Sequence, residues 1–237
     1  MRRIATLAAA IAALAGPALA GDAAELAILG FTADGAVFAF EEYGVQDGSG
    51  FPYANRFYID TATDGFVPGT PIRVRIDDEA ASVEDARRQA RTQAQAVTAD
   101  AALTPGFTAG FNPITELSAD PHRLAVNPRP VVPAIDAPLE FRLEEIALEQ
   151  PANCHGLGEA VGFRLVRAGI APDETARLVH EDATIPASRN CPLGYRLGAV
   201  QTFFPEGGAP VYAVLVAVRS LGFEGPNHRW IAVPGRL

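Results

Sequence analysis

The sequence predicts a mainly β fold of antiparallel strand meanders, sandwich-like or partly propeller-like, with one long surface helix at about 82–103. Three observations carry this expectation. Short apolar or alternating segments recur between Asp-Gly, Pro-Gly and Gly-Ser-Gly turn signals. A helical period sets in once, behind a Ser-x-x-acid capping signature at Ser82–Asp85. The segment Val211–Val218 is apolar on both faces, the mark of a central strand covered from two sides.

The chain starts with a leader. Arg2 and Arg3 precede a charge-free apolar run from Ile4 to Gly16, and Pro17 breaks it before Ala18-Leu19-Ala20. Small residues at the first and third of those places fit a signal peptidase. The run is too short for a membrane span, which needs ~20 residues, and Gly21 rather than Cys follows it, so no lipid anchor is expected. Residues 1–20 are therefore expected to be a cleaved signal peptide, and residues 21–237 one soluble β-rich domain, periplasmic or secreted. No later segment reaches span length without a charge.

Four strands come next: Glu25–Gly30, Val37–Tyr43, Asn55–Asp60 and Pro71–Asp77. In the last, Ile72, Val74 and Ile76 alternate with Arg73, Arg75 and Asp77. The helix then carries Val83, Ala86, Ala90, Ala94, Val97 and Ala101 as one narrow stripe. A stripe mostly of Ala buries little area, so the helix should lie close against a flat partner. Thr104-Pro105-Gly106 stops it. Residues 105–138 hold seven prolines and read as an extended connector, with Arg123–Val126 as its one strand. Strands resume at Leu139–Leu148, Ala160–Arg167, Thr175–Glu181, Tyr195–Phe204, Pro210–Arg219 and His228–Val233.

Charge and cysteine content narrow the function. The chain has 19 basic and 28 acidic residues, a net charge of −9; the leader holds two of the arginines, leaving −11 for the mature part. Every basic residue is Arg, and none form a cluster. Nucleic acid and anionic membrane surfaces are poor partners for such a chain. Cys154 and Cys191 are its two cysteines, and in an exported chain they are expected to form a disulfide. His155 beside Cys154 leaves a reactive thiol or metal ligand as the alternative, although the remaining ligands have no usable spacing.

The two ends of the mature chain echo each other. Asp34-Gly35, Val37–Phe40, Gly50-Phe51 and Asn55–Ile59 run in the same order as Glu206-Gly207, Val211–Val214, Gly222-Phe223 and Asn227–Ile231. Both read as turn, apolar strand, Gly-Phe loop, Asn, aromatic strand. Equivalent hairpins at both ends would close one sheet system together. The first copy, over residues 26–67, also resembles a blade of a TolB-type periplasmic propeller, through Phe31-Thr32-Ala33-Asp34-Gly35 and Tyr58-Ile59-Asp60-Thr61. The chain is too short for six such blades at ~40–45 residues each. The run Phe40-Glu41-Glu42-Tyr43-Gly44-Val45-Gln46-Asp47-Gly48-Ser49-Gly50-Phe51-Pro52-Tyr53 resembles the signature of a family of predicted secreted α-proteobacterial proteins, the DUF2259 type. Pro68-Gly69-Thr70-Pro71 and Gly222-Phe223-Glu224-Gly225-Pro226 are similar to its further landmarks. That resemblance implies export and no particular activity.

The polar residues worth following lie in the two Gly-Phe loops: Glu41, Glu42, Gln46, Asp47 and Tyr53 in the first, and Glu224, Asn227 and Arg229 in the second. On a continuing strand Glu41 and Glu42 point to opposite faces, so they do not serve one site together. One of them with Asp47 offers oxygen ligands to a hard cation, without EF-hand spacing. Hydrolysis between two carboxylates is the enzymatic reading of the 41–53 loop. Acceptors for backbone N–H groups in the Gly turns are the structural one. His122, His155, His180 and His228 are scattered, with no zinc spacing, and no Gly-x-Ser-x-Gly elbow occurs. The sequence therefore points to a non-catalytic binding or interaction module for an envelope protein or small ligand, without a cofactor, metal or catalytic residues. A hydrolase and a ligand-free scaffold are its alternatives.

Overall fold

The alternation of side chains along each strand fixes which layer each face meets. The computed structural model describes residues 21–169 and 175–237; the leader expected over 1–20 lies outside the described residues. Strands β1 (Glu25–Thr32), β2 (Val37–Val45) and β3 (Pro52–Asp60) form an antiparallel meander. Next to β3 lie β4 (Gly65–Phe66) and β5 (Ile72–Arg75), and β6 (Leu103–Thr104) pairs with β1. After β7 (Phe107–Phe111) come β8 (Arg123–Val126), β9 (Leu139–Ala147), β10 (Val161–Ala168) and β11 (Arg177–Glu181). The chain ends in β12 (Pro192–Phe203), β13 (Val211–Ser220) and β14 (Asn227–Arg236). A central sheet has the order β14-β13-β12-β7, and a third sheet the order β11-β10-β9-β8.

These sheets stack. Phe38, Phe40, Phe57 and Ile59 of the first sheet pack on Ala213, Leu215, Ala217 and Trp230 of the central one. The opposite face of the central sheet, with Tyr212, Val214, Val216 and Val218, packs on Phe141, Leu143, Phe163 and Leu165 of the third. Strand β13 is thus covered from two sides, as its two apolar faces predict. At Gly198 a Cβ would stand 2.2 Å from Cζ3 of Trp230, so the absent side chain is what admits the indole.

Helix α1 (Val83–Ala94) lies on the outer face of the first sheet. Its capping box is complete: Ser82 Oγ accepts the Asp85 N–H and the Asp85 carboxylate accepts the Ser82 N–H. Ala86, Ala90 and Ala94 are fully buried against Ala54, Tyr58 and Val74, the close approach an Ala stripe allows. The helix is shorter than the expected 82–103. It ends at Ala94 because Asp100 is held in a separate 3-10 turn by Arg56, while Leu103 pairs with β1. The Pro-rich connector differs too. Phe107–Phe111 forms a second strand in it and pairs with β12, whose ladder supplies bonds that local propensity did not advertise.

Cys154 and Cys191 form a disulfide with Cα atoms 5.4 Å apart. It ties the turn after β9 to the start of β12, and so the third sheet to the central one; the chain-entropy model gives such a loop about 4 kcal/mol. The two echoing ends are equivalent meanders, β1–β3 and β12–β14, but they sit in separate sheets packed face to face rather than in one. Phe31 stacks on Phe203 with ring centroids 5.3 Å apart near one end of the interface, and the two Gly-Phe loops meet at the other.

Candidate functional site

Where the loops meet, Asp47 of the first accepts the N–H groups of Phe223 and Glu224 in the second, at 2.7 and 2.9 Å. Gln46 closes its own loop, its N–H donating to Phe51 O at 2.9 Å and its C=O accepting from Gly50 N at 3.0 Å. The carboxylate of Asp47 and the backbone of Gln46 therefore build the loops. Glu224 lies on the rim of the adjoining cleft, about 650 Å³, along with Tyr43, Glu84 and Arg87.

Behind the loops, the first described residues fasten both meanders. Asp22 accepts a 2.7 Å hydrogen bond from Tyr53 Oη and an ion pair from Arg229, whose guanidinium lies 4.7 Å above the Tyr53 ring. The Asp22 N–H donates to Asn227 Oδ1 at 2.8 Å. Gly21 adopts φ +77°, and a Cβ there would lie 2.6 Å from Pro226 O. Burial pushes the Tyr53 phenol far above its ordinary pKa, so it stays a donor. Asp22 is the residue at this site that sequence reading missed. Its one signal was its place just behind the expected leader.

Glu41 and Glu42 diverge as strand parity requires. Glu41, fully buried, faces α1: Oε2 accepts from Arg87 Nε and Nη2 at 3.1 and 2.9 Å, and Oε1 from Arg56 Nε at 3.4 Å. Arg56 in turn grips Asp100 with two bonds of 2.6 and 3.0 Å. Glu42 faces the central sheet. Oε1 accepts from Asn55 Nδ2 at 2.9 Å and Oε2 from the Trp230 N–H at 2.7 Å, capping the outer edge of β14. Burial raises its pKa, and those two hydrogen bonds offset only part of the rise. The pair cannot flank one scissile bond.

Glu42, Asn227 and Arg229 instead line a groove of about 340 Å³ between the first sheet, the edge of β14 and the turn at Ala187–Arg189, together with Asn55, Arg73 and Arg189. A smaller slot of about 160 Å³ continues it along β14 past Ile231, Ala232 and Val233. At its far side His180 bridges two sheets. Its Nε2 lies 3.0 Å from Asp182 and its Nδ1 3.3 Å from Asp64, on the turn between β3 and β4. Burial alone would lower the His180 pKa, but its bonds to Asp182 and Asp64 outweigh that and raise it to about 9. Both ring nitrogens face carboxylates, so His180 is a cation at neutral pH. Among the described residues no group of three or more His, Cys, Asp or Glu is placed to hold a metal ion.

Sequence reasoning thus gathered residues that the fold divides among a cleft rim (Gln46, Asp47, Glu224), an internal fastening (Tyr53, Arg229), a helix anchor (Glu41) and a groove (Glu42, Asn227, Arg229). Arg73 and Arg189 were missed, since one arginine on an exposed strand face or in a short turn looks like any other. No curated protein and no solved structure matches this chain. Residues 39–236 match the family described as predicted secreted protein (DUF2259). With most of its length matched, the chain belongs to that family of predicted secreted proteins.

Proposed function

We propose that this protein is a non-catalytic binding module of the bacterial cell envelope. In this reading the leader is cut after Ala20, the product resides in the periplasm, and the ligand occupies the groove beside β14. The observation that carries it is the contrast between the spent carboxylates and the groove. Glu41, Glu42 and Asp47 each hold hydrogen bonds within the fold. Arg73, Arg189 and Arg229 meanwhile line one concave surface in a chain of net charge −9; Asp182 and Asp22 hold the last two, and Arg73 alone of the three has no ion pair among the described residues. Phe57, the half-exposed Phe66 and Trp230 give that surface apolar walls. Concave sites with apolar walls and a few convergent polar groups are where ligands bind. The ligand expected is anionic.

The test is untargeted mass spectrometry of whatever co-purifies with the periplasmic form. The wild type is expected to retain an anionic compound or protein that Arg73→Glu loses and Glu206→Arg, at the opposite end of the strands, keeps. Identical recovery from all three would overturn the assignment of the groove.

A further inference from the structure

The groove runs along a strand edge that the protein leaves open. Strand β14 pairs with β13 on one side only, Ala217 facing Trp230 and Leu215 facing Ala232. The Trp230 N–H points away from β13, since Glu42 accepts it. Alternation then makes the 230 and 232 pairs the wide, non-bonded kind, and turns the Trp230 C=O and both backbone groups of Ala232 outward as well. These residues form the wall of the groove and of the slot that continues it. Among the described residues no strand pairs with β14 there. Pro234 has no N–H and ends the open stretch two residues on.

The chain itself uses this edge one register step earlier. Ala23 bridges His228 in parallel, with His228 N donating to Asp22 O at 2.9 Å and Ala24 N donating to His228 O at 3.1 Å. Glu42 then caps the next N–H, and beyond it no strand of the described residues pairs with the edge, which lines the slot although Trp230 and Ala232 are themselves buried. Around the vacancy stand Phe57 and Phe66 on one side and Ser188 and Arg189 on the other. Arg73 arches over the Phe57 ring at 5.9 Å, exposed and without an ion pair among the described residues.

Resting on the binding reading above, we propose that an extended peptide segment bearing a carboxylate side chain adds as a short parallel strand to β14. Its backbone takes the Trp230 C=O and the Ala232 N–H and C=O. An apolar side chain lies against Phe57 and Phe66, and the carboxylate meets Arg73. Main-chain bonds supply the affinity in this mode and side-chain pockets the selectivity. The occupant is therefore an unstructured, acidic stretch of another envelope protein.

Fluorescence anisotropy with labelled, acetylated hexapeptides of alternating Val and Thr, one Glu placed in turn at each position, tests this. At least one peptide should bind with a clear positional preference for Glu. N-methylation of the one amide facing the Trp230 C=O should weaken it about tenfold, the worth of a backbone hydrogen bond, and Arg73→Glu should weaken it as much or more. In the bound state, amide hydrogen exchange at Ala232 should slow, a readout that needs no variant to fold. Binding that tolerates N-methylation at every position, or that leaves Ala232 exchange unchanged, would overturn strand addition. If every peptide fails while an Arg73-dependent small compound co-purifies, the peptide inference falls and the binding module stands.

Discussion

The first three strands and the last three share one pattern, yet they are covered by different materials. Aligning the echo through Val37 and Val211 sets Glu41 of β2 at the place of Leu215 in β13, and through Asn55 and Asn227 it sets Arg56 of β3 at that of His228 in β14. The last meander lies between two sheets, and β13 is accordingly apolar from Val211 to Val218. The first lies between a sheet and a helix. Its inner face is aromatic, while its outer face mixes small residues with the buried Glu41 and Arg56, which form an ion-paired cluster with the partly exposed Arg87 and Asp100 of the covering layer. An Ala-striped helix brings little apolar area of its own, so ionic contacts fix its position. The lesson is that strand pattern sets the meander, and the covering layer sets the chemistry of each face.

Removing one member of that cluster breaks the comparison most sharply. Arg56→Met leaves Glu41 fully buried with only the partly exposed Arg87, and should destabilise by about 3–5 kcal/mol, as for other broken buried pairs. The double variant Glu41→Leu with Arg56→Met makes the first meander resemble the last. It should recover most of the loss, because Arg87 can turn to Glu84 and Asp100 is already near solvent. Urea unfolding of both variants measures this. A double variant no more stable than Arg56→Met would show that the ionic cluster is not interchangeable with apolar cover.

A smaller effect is expected at His180, which clasps the Asp64 turn of the first sheet to Asp182 at the end of β11 in the third. Its pKa rises on folding from 6.5 to about 9, so the folded state binds the proton more tightly. The stabilisation is complete below about 6.5 and is lost as pH rises through about 9. Asp182 acts in the opposite sense. Burial would raise its pKa, but bonds from His180, Arg189 and the Phe163 N–H lower it overall, so its contribution disappears as pH falls through that depressed value. Thermal melts should therefore be highest below about pH 6.5, decline by a few degrees between about 6.5 and 9, and level off above that. In His180→Gln the alkaline decline should be absent and the neutral Tm lower; an unchanged alkaline limb would place the titrating group elsewhere.

Much of this architecture was legible because period and parity are local. The strand segments, the capping box at Ser82 and the two-sided cover of β13 follow from spacing alone. The helix end was not, since Val97 and Ala101 continue the apolar stripe while the stop comes from Arg56, distant in sequence, gripping Asp100. Strand β7 was hidden for the same reason: its partner β12 lies far along the chain, and prolines flank it. At the site, parity separated Glu41 from Glu42 correctly. It gave no warning that Asp22 would fasten both ends, or that the groove would form along β14, because both depend on which layer covers which.

The mildest variant sharpens the contrast between those two neighbours. Glu42 carries its proton more readily when folded, since burial raises its pKa more than Trp230 N–H and Asn55 lower it. With that sign, whatever its protonation contributes is present at low pH and lost as pH rises through the raised value. Gln keeps an oxygen for the Trp230 N–H and carries no charge to desolvate. Glu42→Gln should therefore change stability by less than about 1 kcal/mol at neutral pH. Glu41→Gln one residue away, which leaves Arg56 and Arg87 to share a neutral amide, should cost clearly more. Equal losses in parallel urea titrations would mean that the central-sheet face of β2 needs its charge as much as the helix face does, and the division of labour drawn from strand parity would fail.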